Sequence, residues 1–323
     1  MPRLTVLMCV YNGMPFLPDA VQSILQQTYQ DWNFIIVNDG STDGTAEWLA
    51  QLSDPRIRVL HQANAGPAAA SNHGLKYCET EYLARMDADD ISHPDRLRQQ
   101  IQFLDEHPQV GLLGTQFSYF GSRRSAPPSR LPTDHATIDA ELMRGRHAMC
   151  NGGSMCRTAV LKKVGGFWAD GIAEDWDMFL RVAEAAELAN LDECLYSVRV
   201  HSQSLNARRM TEMRLRIAYS CDRAERRRRG QPPVLYDEFC DRRHTWWRAI
   251  ADRVDGYAML QYRRAIAEQL GHQAARGRLR LAWAAACGPH LTQQRLLRLL
   301  RHWSRVAEPR HLIPAGAAAH EHN

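Results

Sequence analysis

Lysine is nearly missing from this chain of 323 residues, occurring only as Lys76, Lys162 and Lys163. The other bases are arginine, and they are unevenly spread. Residues 1–200 carry 17 Lys and Arg against 25 Asp and Glu, a balance of −8; residues 201–323 carry 23 Arg against 11 acids, a balance of +12. The net charge of +4 therefore hides an acidic part joined to an arginine-rich part, which reads as two modules with different work. Long hydrophobic runs are also missing. No stretch approaches the roughly 18 consecutive apolar residues of a membrane-spanning helix, and the run Leu281–Cys287 follows directly on Arg280. Met1-Pro2-Arg3 leads straight into strand-like sequence, without a signal-peptide profile. None of the eight cysteines stands in a Cys-x-x-Cys pair, which argues against a zinc ribbon or redox motif and for reduced thiols in a cytoplasmic setting. No Gly-x-Gly-x-x-Gly follows the first strand, and no base stands between Arg3 and Arg56. A dinucleotide-binding dehydrogenase and a sugar nucleotidyltransferase with a basic phosphate loop are both disfavoured.

What is present is an alternation of strand and helix patterns. Short apolar runs predict strands at Leu4–Val10, Phe34–Val37, Ile57–Leu60 and Tyr82–Met86. Helical spacing predicts helices at Leu17–Leu25, Asp43–Leu52, Gly66–Cys78 and from Pro94 to about Glu106. This is an α/β pattern: a mostly parallel sheet with helices on both faces. Residues 121–135 read as loop. Residues 136–200 are mixed, with strands near Ser154–Arg157 and Leu195–Val200 and helices near Ala159–Val164 and Trp176–Ala186. Beyond Arg208 the sequence turns helical and basic, broken by Gly230-Gln231-Pro232-Pro233 and Gly288-Pro289. The expected division is residues 1–206, an α/β unit, and 207–323, a basic, mostly helical region.

Ligands of parallel α/β sheets bind at the carboxyl ends of the strands, and here those ends are polar. The first strand ends in Tyr11-Asn12-Gly13, the second in Asn38-Asp39-Gly40-Ser41-Thr42-Asp43 and the fourth in Asp87-Ala88-Asp89-Asp90. Ser41, Thr42 and Asp43 are explained by a turn and a helix N-cap. Asp39 stands at the strand end itself, where a carboxylate can take a ligand N–H. In extended backbone Asp87 and Asp89 point to one side. Two adjacent carboxylates repel unless a cation joins them, and hard oxygen ligands suit Mg²⁺ or Mn²⁺ bridging to phosphate. Further on, Gly165-Gly166-Phe167 leads to Glu174-Asp175-Trp176-Asp177, carboxylates at a helix start that read either as caps or as a general base aimed into a cleft.

These pieces, in this order, resemble the inverting family 2 glycosyltransferases of the GT-A fold. The resemblance covers about residues 3–206 and includes Arg199-Val200-His201, similar to an Arg-x-His element of that family. It implies nucleotide binding by Tyr11, Asn12, Asp39 and Asp87, with Asp39 on the base and Asp87 on the ribose. It implies metal binding (Mn²⁺ or Mg²⁺) by Asp89, with His201 as a further metal or diphosphate contact. Asp175 would be the catalytic base, and Gly152, Gly153, Ser154 and Glu174 would shape the donor and acceptor pocket. The donor would be a nucleotide sugar, UDP-linked by family frequency. The acceptor would be a saccharide or lipid-linked saccharide of a bacterial-type surface glycan or polysaccharide.

The region beyond residue 206 carries no motif of that family. Arg226–Arg229 and Arg276-x-Arg278-x-Arg280 could meet phosphates, but no nucleic-acid-binding signature accompanies them, and no nucleic-acid partner is expected. Arg295, Arg298, Arg301 and Arg305 alternate with Leu296, Leu297, Leu299, Leu300 and Trp303, and Trp246-Trp247-Arg248 and Trp283 add aromatics. That pattern suits either packing on the catalytic unit or contact with an anionic membrane, placing the protein in the cytoplasm or peripherally on the inner face of the membrane. The rival to an active enzyme is a basic nucleic-acid- or membrane-binding protein whose glycosyltransferase-like domain is inactive.

Overall fold

The computed structural model describes residues 2–122, 125–168, 173–201, 210–243 and, with gaps, 254–287. Its described residues fall into two compact units. The first comprises residues up to Phe117 together with Pro128–Val198; the second comprises Ser118–Pro127 and the residues from Arg199 onward.

The first unit opens with the alternation β1 (Leu4–Val10), α1 (Leu17–Leu25), β2 (Trp32–Asp39), α2 (Thr45–Leu49), β3 (Ile57–Gln62), α3 (Pro67–Leu75) and β4 (Tyr82–Asp87). A two-residue β5 (Ile91–Ser92) and α4 (Arg96–Glu106) follow, then β6 (Val110–Phe120), α5 (His135–Met143), β7 (Met155–Arg157), α6 (Thr158–Lys163), α7 (Glu174–Ala183) and β8 (Glu187–Arg199). The sheet order is β3-β2-β1-β4-β7-β6-β8-β5. The half built from β3, β2, β1 and β4 is parallel, whereas β7 runs antiparallel to both β4 and β6, and β5 antiparallel to β8. The second unit contains α8 (Met210–Arg228), α9 (Tyr236–Arg243) and α10 (Ala274–Cys287).

β1 and β2 are buried on both faces, as their largely apolar runs require. Their register places Leu7 opposite Ile35 and Arg85, and Cys9 opposite Val37 and Asp87. These residues share one face of the sheet, and α3 covers it: a Cβ on Gly74 would run into Leu7 and come within 3.1 Å of Val37. The other face carries Val6, Met8 and Val10. Val10 meets the chain leading to α1, where a Cβ on Gly13 would stand 2.5 Å from it. β4, carrying Arg85 and Asp87, is thus a central strand, with β1 on one side and β7 on the other.

Candidate active site

Two loops at the carboxyl edge of the parallel strands are laced together. Asn12 adopts a left-handed backbone (φ 54°), and its Oδ1 accepts from Thr42 N at 2.8 Å. Asn12 N donates to Ser41 Oγ at 3.0 Å, Gly13 N to Thr45 Oγ1 at 2.9 Å and Met14 N to Asp43 Oδ2 at 3.0 Å. Asp43 is therefore a brace between loops; the residue at the N-cap of α2 is Gly44. Tyr11 projects from this edge, 54% exposed. Asp39, almost fully buried, is saturated on one side. Its Oδ1 accepts from Gln62 Nε2 at 2.7 Å and Ala65 N at 2.9 Å, and its Oδ2 from Gly66 N at 2.9 Å. His73 contacts Gln62 Oε1 at 2.8 Å, so a chain of polar groups runs from α3 to Asp39. Asp39 thereby fastens the β3–α3 loop to the end of β2, with one lone-pair direction left over.

The second group lies at the end of β4. Asp87 feels the charges of Asp89 and Asp175, and Glu174 those of Asp175 and Asp87. Burial pushes the Asp87 carboxyl up to about 6; Asp89 and Asp175 push the same way, while Arg85 and Arg96 oppose. Burial, then Asp175, pushes Glu174 up to about 7. Asp175 is raised by burial as well, although its Oδ1 accepts the Trp176 N–H at 2.8 Å. The helix that carries the last two acids is held by specific bonds. Arg181 of α7 pairs with Asp177 at 2.6 Å and donates to the carbonyls of Val164 and Gly166. Gly165 and Gly166 take φ of 86° and 69°, which lets the chain turn back after α6. Asn72 of α3 then receives Phe167 N–H at 2.9 Å. The Gly-Gly-Phe motif is thus a bracket that fixes where Glu174 and Asp175 begin.

The remaining expected site residues lie elsewhere or have other partners. Ser154 is buried; its hydroxyl donates to Asn151 O at 2.7 Å, and its carbonyl accepts from Arg85 N at 2.8 Å. Gly153 packs against Thr115 and Tyr196, 3.2 Å from each for a notional Cβ. The glycine facing the acids is Gly152, where a Cβ would stand 2.6 Å from Asp87 Oδ2. Tyr196 of β8 receives the Asp87 N–H at 3.1 Å. His201 lies in the second unit. Among the described residues, no three His, Cys, Asp or Glu side chains form a ready-made metal cage. Gly152 was read together with Gly153 and Ser154 as part of the pocket, whereas Tyr196, Arg85 and Arg96 escaped the sequence reading. Only the proximity of Arg85 to Asp87 on one strand could have signalled any of them, since the others reach β4 from separate elements.

The family model "Glycosyl transferase family 2" matches residues 5–165. EpsE of Bacillus subtilis (strain 168), named as a glycosyltransferase, is 32% identical over 234 residues, covering 69% of this chain and 80% of EpsE. The chain belongs to glycosyl transferase family 2. Solved structures agree on the fold of this glycosyltransferase. Residues 1–349 of S. aureus TarS, in complex with UDP-GlcNAc, superpose with a TM-score of 0.56 at 17% identity, covering 88% of both chains. Against the longer TarS chain the coverage falls to 43% of that protein. The mannosyltransferase PcManGT of Pyrobaculum calidifontis, in complex with GDP-Man and Mn²⁺, gives a TM-score of 0.54 at 19% identity, covering 94% of this chain and 83% of that one. The GT-A-like α/β fold with a helical C-terminal region is the one expected from the sequence.

Proposed function

We propose that this glycosyltransferase moves a sugar from a nucleotide donor, UDP-linked in the first instance, to a hydroxyl of a saccharide or lipid-linked saccharide, with inversion. The observation that carries this is the convergence of Asp87, Asp89, Glu174 and Asp175 at the carboxyl edge of the parallel strands. A cluster of mutually repelling acids fits a divalent cation. With no closed protein cage among the described residues, Asp89 would be the protein group that holds the cation. When bound, Mn²⁺ or Mg²⁺ would supply charge neutralisation at the diphosphate. The Mn²⁺ of the PcManGT complex and the nucleotide sugars of both neighbours support this reading.

The chain's own residues would do the rest. Asp175 takes the proton of the acceptor hydroxyl as its oxygen attacks the anomeric carbon. Burial suits this role, because a carboxylate with a raised pKa is a stronger base. Asp39 would turn its remaining lone pair to the nucleobase, and Asp87 would receive the ribose. A single displacement needs no covalent sugar intermediate. The test is a donor panel read by nucleoside diphosphate release with Mn²⁺ or Mg²⁺. Asp175→Asn is expected to lose at least about 10³-fold in kcat while nucleotide binding persists. Near-normal turnover by that variant would sink the assignment.

A further inference from the structure

Both a UDP sugar and a GDP sugar occur among the neighbouring structures, so side chains and not the fold choose the nucleobase. At Asp39 the hydrogen bonds can be counted. β3 is the outer strand of the sheet, and its last residue, Gln62, is the register partner of Asp39. The Gln62 amide lies between two groups that fix which way round it stands. The Asp39 carboxylate only accepts, so Nε2 faces it at 2.7 Å; His73 of α3 meets Oε1 at 2.8 Å, so the Nδ1 of that imidazole carries the proton. Asn64 Nδ2 donates to the Asp39 carbonyl at 3.1 Å, which ties the loop after β3 to the same residue. A carboxylate has about four lone-pair positions, two on each oxygen. Gln62 and the Ala65 N–H fill both on Oδ1, and the Gly66 N–H fills one on Oδ2. One position on Oδ2 remains. Asp39 is 3% exposed, and its three bonds keep the carboxylate from turning to offer more.

We propose that Gln62 sets the nucleobase of the donor: by filling Oδ1 of Asp39 it leaves room for a single N–H, and so selects uracil or thymine over guanine. The inference deepens the proposed function and rests on Asp39 receiving the nucleobase. Guanine presents two N–H groups side by side, N1–H and N2–H, and a carboxylate takes such a pair one on each oxygen. Here one of the two would meet an oxygen that is already saturated and stay unpaired, which costs affinity. Uracil and thymine present one imide N–H, and the open position on Oδ2 satisfies it completely. His73 is the second part of the device. With Oε1 held by the imidazole, the Gln62 amide keeps its N–H on Asp39 and does not swing away to free the oxygen.

The test measures nucleotide binding by calorimetry on the full chain with Mn²⁺. The probes are UDP, N3-methyl-UDP and GDP, and wild type is compared with Gln62→Leu and Gln62→Met. Wild type is expected to bind UDP at least about 10-fold more tightly than GDP, the cost of one unpaired N–H. Equal affinities would overturn the inference. Both variants reopen Oδ1 and are expected to shrink the ratio of UDP to GDP affinity by about 5-fold or more. A merely structural glutamine would weaken both nucleotides by the same factor. An unchanged ratio therefore overturns the inference, and so does loss of fold in both variants, read by thermal melts. N3-methyl-UDP, which lacks the imide N–H, separates the two levels. If wild type binds it as tightly as UDP, the reading of Asp39 fails and takes this inference with it. If it binds weakly while the ratio stays put in the variants, only this inference fails.

Discussion

At the scale of single residues, the site is built from carboxylates held against their preference for water, and that has a measurable cost. Glu174 is the clearest case, its carboxyl pushed up to about 7 by burial and by Asp175. A carboxyl raised in the folded state binds its proton more tightly there than in the unfolded chain. Its contribution to stability is complete below the unfolded pKa of about 4.5 and is lost as pH rises through 7. Glu174→Gln removes that loss. In metal-free protein the variant is expected to melt about 4–8 °C higher than wild type at pH 8, an effect of roughly 2 kcal/mol, and to show no gain at pH 4.5. Equal gains at both pH values would mean that the carboxylate's charge is not the cause. Asp39 shows the opposite economy. Its three N–H donors come from Gln62 at the end of β3 and from Ala65 and Gly66 of the loop that follows, so one carboxylate is held by bonds that also fasten that loop.

At the scale of elements, helix α3 is the piece on which the site rests, covering the sheet face that carries Cys9, Arg85 and Asp87. Gly74 lets it come that close. Gly74→Ala would gain about 1 kcal/mol in helix propensity, but it forces a methyl into the fully buried Leu7 and Val37. A net loss of about 1–2 kcal/mol is expected, seen as a lower urea midpoint with unchanged slope; an unchanged midpoint would show that the α3 contact is loose. The sequence announced the elements whose patterns are local. β1, β4 and the alternation between them were legible because buried parallel strands are plain apolar runs, and the strand-end acids followed from that frame. Other elements were not. β6 is an eleven-residue strand, yet Val110–Phe120 mixes two glycines with Thr115, Gln116, Ser118 and Tyr119, and Thr115 and Gln116 are satisfied by the distant carbonyls of Glu193 and Leu131. α5 lies within residues read only as mixed, because its apolar residues scatter around the helix; only Ile138 and Leu142 are buried. Helix α4 starts at Arg96 and not at Pro94, because the Pro94 carbonyl is taken by Thr28 and the Asp95 N–H turns to His93. Helix α2 is shorter than Asp43–Leu52, because Asp43 is spent on Met14 and Thr45.

At the scale of the whole molecule, the split in charge acquires two separate meanings. The acidic excess of the first part includes the strand-end cluster, which a cation would partly offset. Some arginines of the second part are paired within it, Arg226 with Asp222, Arg229 with Glu225, Arg242 with Glu238 and Arg280 with Glu268, but the excess of +12 already counts every acid there and is not offset from within. Among the described residues no helix is long and apolar enough to cross a membrane. Leu279 and Trp283, four residues apart on α10, are nevertheless 75% and 57% exposed. The Leu- and Arg-rich stretch around Arg295–Arg305 and the Trp246-Trp247-Arg248 cluster lie outside the described residues. If the second part meets an anionic bilayer, the intact chain should sediment with phosphatidylglycerol vesicles, stay in solution with phosphatidylcholine vesicles, and bind less after Trp283→Ala. Recovery in the supernatant with both lipids would reject membrane contact. The placement of β4 has a consequence for how the enzyme fails. Its amides bond into β1 and β7, then to Ser154 O and Tyr196 Oη at its end. Edge strands and loops can open and close again while that strand stays shut. Asp87 would then be displaced only when the whole sheet gives way, so loss of this carboxylate's position and collapse of the domain would share one barrier.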